Sequence, residues 1–309
     1  MKLYINRSVM NKPWGGGGHF VTNFTNYMKR RGHDVVFDFV KDIDVILLID
    51  PRPSELGSSI NDVLQYKHYF PKTKIVHRIN ECDKRKNTNF IDDLIVRSNE
   101  YADETIFISQ WLKDYFYAKG INRDSHVIYN GCNTEHFKPS DKLFDDRNIK
   151  LVTHHWSDNW LKGFDIYTKI DEYITNNNCN FEFTYVGRYN KDYNTKSTRL
   201  VEPLYGESLG EELRSHDIYV TASRFEPCGM HHIEGAASGL PVLYHIDGGG
   251  INGLCSHHGE SFSNFDEFLL KLKLLTENYQ SFKGKINYER LCAEKCSEMY
   301  CKVLEEIIL

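Results

Sequence analysis

Short apolar runs alternate with amphipathic stretches along the chain, and the alternation runs through twice. Strands that recur with helices between them argue for parallel sheets covered on both faces. In the first pass, strands are predicted at 2–5, 35–39, 45–49, 74–79, 105–108 and 127–129. Helices are predicted at 20–31, 60–70, 90–101 and 110–118, with Gly32, Pro71 and Gly120 as stops. A polar stretch, 138–148, reads as a linker. The second pass places strands at 150–153, 181–186, 218–221 and 242–245, helices near 163–175, 209–215 and 229–237, and a mainly helical tail from 264. The expected fold class is α/β with two Rossmann-like domains, 1–140 and 141–309, the last helix returning to the first domain. Ligands of such sheets sit at the carboxyl ends of the strands, and a cleft between two domains is the natural site.

Composition narrows the function. The 309 residues are 40% hydrophobic and 26% charged, as in ordinary globular proteins. A net charge of −5 gives no reason to expect nucleic acid as a partner. The basic knot Lys84-Arg85-Lys86 reads as a solvated loop. No apolar run is long enough to span a bilayer, and residues 1–5 read as a strand rather than a signal peptide. A cytoplasmic location is expected. The eight cysteines form no C-x2-C pair and suit reduced core thiols. No histidine lies in H-E-x-x-H spacing, so no metal is expected.

Several motifs fall at carboxyl ends of predicted strands. The loop Trp14-Gly15-Gly16-Gly17-Gly18-His19 follows the first strand, and its glycines would let a ligand approach the backbone. It has neither G-x-G-x-x-G spacing nor a Walker lysine. His77 opens the polar run His77-Arg78-Ile79-Asn80-Glu81 at the end of another strand. Lys162-Gly163 precedes a helix N-terminus, where an ammonium and the helix dipole together suit a phosphate. Glu226 follows the strand 218–221, Gly229 opens the next helix, and Glu234 lies eight positions after Glu226. Acids can hold sugar and ribose hydroxyls while the free N–H groups of the helix face an anion. Asp247-Gly248-Gly249-Gly250 follows the strand at 242–245 and reads as a turn or as a backbone wall beside a ligand.

The run from Ser223 to Val242 resembles the E-P-x-G…E-A-x-A-x-G-x-P-V signature of the family 4 retaining glycosyltransferases. Val127-Ile128-Tyr129-Asn130-Gly131 with Phe137-Lys138-Pro139 resembles that family's join between domains, and Lys162-Gly163, Val186-Gly187-Arg188, Asp217 and Gly248-Gly249 occur in its order. The likeness is close over the second half and loose over the first. It implies a GT-B fold, two Rossmann-like domains facing each other across a cleft, in a short member fitting a viral or bacterial source.

The resemblance also implies roles. Glu226 would hold hydroxyls of the transferred sugar, and Glu234 the ribose. The backbone of Cys228, Gly229 and Met230 would meet the sugar and phosphate side of the donor, and Lys162 the diphosphate. Gly16 and Gly17 would close over the phosphates, and His77 would lie beside the reacting sugar. The family's Arg a few positions before Lys-Gly is missing from Thr153–Leu161, so diphosphate neutralisation would be weaker, or supplied by His154, His155 or Arg188.

The implied reaction moves a hexose of the mannose or glucose type from a nucleotide diphosphate to a glycan or other hydroxyl acceptor. It keeps the anomeric configuration and needs neither cofactor nor metal. The donor is a UDP- or GDP-sugar, with GDP-mannose slightly favoured by family prevalence. A homodimer stays open, as do two rival readings: a nucleotide-sugar epimerase on the same fold, and a non-catalytic nucleotide-sugar-binding protein.

Overall fold

A computed structural model describes residues 1–8, 16–55 and 57–309. Its contacts divide into two units, Met1–Gly131 with Ala293–Leu309, and Cys132–Cys292.

In chain order the first unit has β1 (Lys2–Ile5), α1 (Gly16–Arg30), β2 (Asp34–Val36), β3 (Val45–Leu48), α2 (Ile60–Tyr69), β4 (Lys74–Ile79), α3 (Asp83–Lys86), α4 (Ile91–Asn99), β5 (Glu104–Phe107), α5 (Gln110–Tyr117) and β6 (His126–Val127). The strands pair in parallel in the order β2-β1-β3-β4-β5-β6. Successive strand residues point to opposite faces. Leu3, Ile5, Val45 and Leu47 therefore pack in one core with Phe20, Phe24 and Met28 of α1, while Tyr4, Ile46 and Leu48 pack in another with Val63 and Tyr66 of α2.

The second unit has β7 (Ile149–His155), a 3-10 turn (Trp160–Lys162), α6 (Phe164–Asn176), β8 (Phe181–Gly187), β9 (Arg199–Val201), α7 (Gly206–Arg214), β10 (Ile218–Thr221), α8 (Met230–Ala237), β11 (Val242–His245), α9 (Gly250–Cys255), β12 (Gly259–Phe262), α10 (Phe265–Glu277), α11 (Tyr279–Gly284) and a second 3-10 turn (Tyr288–Leu291). Its order is β12-β11-β10-β7-β8-β9, again parallel. The chain builds outward from β7 on one side, then returns to start at β10 on the other. This is the dinucleotide-fold order, and β7/β10 is its switch point.

The last helix, α12 (Ala293–Glu306), belongs to the first unit. Tyr300 on it packs against the stacked pair Phe20 and Phe24, and its hydroxyl accepts from Nε of buried Arg78 at 3.1 Å. The Arg78 guanidinium also donates to Asn130 Oδ1 at 2.8 Å and lies 3.9 Å from the Phe20 ring centroid.

Some expectations need correction. The polar stretch 138–148 is tied into the second unit: Lys142 bonds Asp217 Oδ1 at 2.6 Å and Ser215 O at 2.9 Å. Lys84-Arg85-Lys86 lies in α3 with Arg85 buried, not in a solvated loop. Two strands, β9 and β12, were not predicted; their sequences, Arg-Leu-Val and Gly-Glu-Ser-Phe, lack an apolar run. All eight cysteines are free thiols, and six are buried.

Candidate functional site

The switch point of the second sheet gathers most of the residues singled out in the sequence. Beyond β7 the 3-10 turn carries Lys162 and ends at Gly163, whose φ is +98°. A Cβ there would lie 2.2 Å from Ala222 Cβ, so glycine is required both by backbone conformation and by space. The turn is held against the segment after β10 by Arg224 N donating to Leu161 O at 2.9 Å. The Arg224 guanidinium grips Asp165 with two bonds of 3.0 and 2.7 Å. Burial would raise the Asp165 carboxyl, but the Arg224 bonds override it and hold it low.

Glu226 is set by an unusual backbone. Phe225 has φ +57°, a region a bulky residue enters only when its surroundings enforce it. Those surroundings are the turn after β11. Phe225 N donates to Asp247 O at 2.8 Å, Glu226 N to Gly248 O at 3.2 Å, and Gly250 N to Glu226 O at 2.7 Å. Gly249, at φ +72°, would place a Cβ 2.7 Å from Glu226 O. The glycine turn after β11 is thus the wall against which the Glu226 backbone lies.

Lys162 Nζ donates to Glu226 Oε1 at 2.5 Å, with both side chains buried. Gly229 caps α8, and an added Cβ there would meet His231 Nε2 at 2.7 Å and the Glu226 carboxyl carbon at 3.5 Å. Cys228 is buried and Met230 half-buried at this helix start.

Glu234, one helical turn further along α8, is buried and bonded through Oε2 to His154 Nε2 at 2.8 Å. The other ring nitrogen of His154 faces the Tyr219 hydroxyl at 3.1 Å. A carboxylate can only accept, so Nε2 donates to Glu234. This pair was missed in the sequence because β7 was expected to end at Thr153; two more strand residues carry His154 and His155 to its carboxyl end.

Three groups stood as alternatives for the charge of the missing arginine. His154 is committed to Glu234 and Tyr219, and His155 is buried and bonded to the Tyr167 hydroxyl at 2.9 Å. Arg188 is exposed just beyond β8, its backbone N donating to His155 O at 2.9 Å. Its guanidinium makes no hydrogen bond or ion pair among the described residues. Burial pushes His231 far below its ordinary range, with His155 and Lys162 adding to the effect, and pushes His232 down to about 3.

The first unit treats its predicted residues differently. Trp14 and Gly15 lie outside the described residues. Gly16, Gly17, Gly18 and His19 form the first turn of α1 rather than a loop before it. Gly17 has nothing within 4 Å of an added Cβ.

His77 is inside β4, not at its end: it pairs with Leu48 and Thr105, is buried, and accepts from Asn99 Nδ2 at 3.2 Å. Burial drives it down to about 3, so it is a neutral core histidine. The polar cluster at this sheet's carboxyl edge is Asp50 instead, bonded to Arg7 at 2.7 Å and twice to Arg52 at 2.8 Å.

Among the described residues, one group has metal-ligand atoms in mutual reach: His33, Cys301 and Glu305 in the first unit. The His33 ring is engaged on both sides, by the Met1 amino group at 3.2 Å and by Glu305 at 3.3 Å.

No family model matches this sequence, and no curated protein matches it. Many solved structures match its shape. Sucrose-phosphate synthase from Thermosynechococcus elongatus superposes with a TM-score of 0.74 at 13% identity, over 99% of this chain and 98% of that one. The fold is that of the GT-B glycosyltransferases. HepE of Anabaena, solved in complex with UDP and glucose, gives a TM-score of 0.69 at 14% identity, over 98% of this chain and 99% of that one. WaaG, a glycosyltransferase involved in lipopolysaccharide biosynthesis, gives 0.61 at 14% identity, over 99% of each chain. At these identities the likeness speaks for the fold. Among the described residues, no helix is long and apolar enough to cross a membrane.

Proposed function

We propose that this chain is a retaining glycosyltransferase of family 4. It takes a mannose- or glucose-type hexose from a UDP- or GDP-linked donor and places it on a hydroxyl of a glycan or other acceptor. The observation that carries the reading is the grouping of Lys162, Glu226, the α8 N-terminus and Glu234 at the β7/β10 switch point, where open sheets of this order bind nucleotides.

Each group has work suited to its chemistry. Breaking the glycosidic bond leaves negative charge on the diphosphate and positive charge on the sugar ring. Lys162 and the free N–H groups at Gly229 and Met230 stabilise the diphosphate charge as it grows. Glu226 accepts from sugar hydroxyls, and Glu234 from the ribose. Positioning of the sugar is where Glu226 contributes to rate.

Before the donor arrives, the Lys162 ammonium is neutralised by Glu226. On binding, the diphosphate takes over as partner of the ammonium, which frees Glu226 oxygens for hydroxyls. Exposed Arg188 is the second cation, in place of the family's arginine. The departing phosphate takes the acceptor proton, so no protein base is required. His77 is left out of this reading because it is buried in the sheet and bonded to Asn99.

The test is nucleotide release from UDP-glucose and GDP-mannose, with and without acceptor sugars, by wild type and Glu226→Ala. Acceptor-dependent release by the wild type, lost in the variant, is expected. Equal turnover by both proteins would refute the role of Glu226. Epimerised donor with no transfer would favour the epimerase.

A further inference from the structure

The donor groups follow the carboxyl ends of β7, β10 and β11. The opposite edge of the same sheet carries a cavity of about 560 Å³ that they do not use. Its wall comes from two segments. One is the bend between α9 and β12, with Ser256, His257 and His258; the other runs from α11 to the second 3-10 turn, with Lys285, Asn287 and Arg290. His258 O accepts from Val242 N, the first residue of β11, which fixes the cavity at the amino ends of the strands.

The chemistry of the wall is one-sided. Lys285 brings an ammonium and Arg290 a guanidinium, and His257, Ser256 and Asn287 add polar groups. Among the described residues, none that lines the cavity carries a carboxylate. His258 is 3% exposed, and its Nε2 is buried with no hydrogen-bond partner among the described residues. A buried ring nitrogen left unmatched is costly unless something completes it. Burial, with smaller contributions from His257 and Arg290, pushes His258 down to about 4, so the ring that faces the cavity is neutral.

The cations are also held in place. Asn287 Oδ1 accepts from Arg290 N at 3.2 Å and caps the turn that carries the arginine. The Lys285 ammonium lies 5.3 Å from the Phe282 ring centroid.

We propose that this cavity binds a phosphate group, the dianion of a phosphomonoester, either free in solution or at the head of an anionic lipid. Guanidinium and ammonium groups are the usual partners of such a group. The volume exceeds that of bare phosphate and leaves room for the first atoms of the ester. The proposal is independent of the donor reading, since the two sites lie at opposite edges of one sheet.

The experiment uses the full chain with isotope-labelled histidine, titrated with inorganic phosphate against chloride at matched ionic strength. Imidazole resonances of His257 and His258 are followed in the wild type, Lys285→Glu and Arg290→Glu. Saturable shifts in the wild type, weakened at least about tenfold in both variants, are expected. Melting curves of the variants show that they remain folded, and Lys285→Gln serves as a milder variant if charge reversal unfolds the chain.

Sedimentation with phosphatidylcholine vesicles, with and without phosphatidic acid, identifies the source. Binding that needs phosphatidic acid and is lost in the variants assigns the site to a lipid headgroup. Phosphate binding without vesicle binding assigns it to a soluble ester. No saturable shift with phosphate, or equal shifts in wild type and both variants, overturns the proposal.

Discussion

Glu234 is expected to have two separable jobs, one in the fold and one toward the nucleotide. Its carboxylate accepts from His154 Nε2 at 2.8 Å, and the two side chains are only 7% and 3% exposed. Glu234→Ala leaves a buried ring N–H without an acceptor, a loss of about 1–3 kcal/mol. For a unit of this size that corresponds to roughly 2–12 °C in melting temperature. Glu234→Gln keeps an oxygen at the same place, so its stability should fall by less than about 1 kcal/mol.

Nucleotide affinity should behave differently. A ribose hydroxyl bonded to a charged acceptor contributes about 1.5–3 kcal/mol, so Glu234→Ala should weaken UDP or GDP binding roughly 10- to 150-fold. Glu234→Gln loses the charge and should fall between the two. Urea unfolding and titration calorimetry on three proteins give both quantities. If Glu234→Ala destabilises while both variants bind nucleotide like the wild type, Glu234 is only the partner of His154 and the ribose role is wrong. If Glu234→Ala is as stable as the wild type, the buried pair is not formed in solution.

Three further outcomes follow from the geometry. Lys162→Gln should lower kcat about 10²- to 10³-fold, the usual loss when one donor to a developing anion is removed; steady-state kinetics with unchanged kcat would exclude it from the charge-stabilising set. Gly163→Ala should destabilise by about 2–5 kcal/mol, combining the left-handed φ with the contact at Ala222, and a melting curve like that of the wild type would contradict the tight turn. Burial pushes His77, His216 and His232 down to about 3 and His258 to about 4. These rings stay neutral in the fold while the unfolded chain protonates below about 6.5. Stability should therefore be full above that pH and fall on acidification, approaching ~1.4 kcal/mol per pH unit per histidine until their folded values are reached. Urea titrations that give the same stability at pH 7 and pH 5 would refute this.

The parallel sheets were legible because strand and helix periods alternate cleanly, and β1, β4, β10 and β11 fall where the apolar runs are. The grouping of Glu226, Gly229 and Lys162 was legible as well, since short loops after parallel strands bring distant residues together by topology alone. What the chain hid was tertiary. Nothing local marks Phe225 for positive φ; the turn after β11 imposes it. His77 looked like a strand-end residue, but its pairing with Thr105 and its bond to Asn99 place it within the sheet. Likewise, the cavity beside His258 needs residues from 254 to 291, which no motif connects.

A crystal structure of the protein with an intact or non-hydrolysable nucleotide sugar tests the donor site at once. The diphosphate is expected against Lys162 and the α8 N-terminus, the ribose on Glu234, and sugar hydroxyls on Glu226, with the Lys162–Glu226 bond opened. A nucleotide bound elsewhere, or bound here with both glutamates untouched, would contradict this placement.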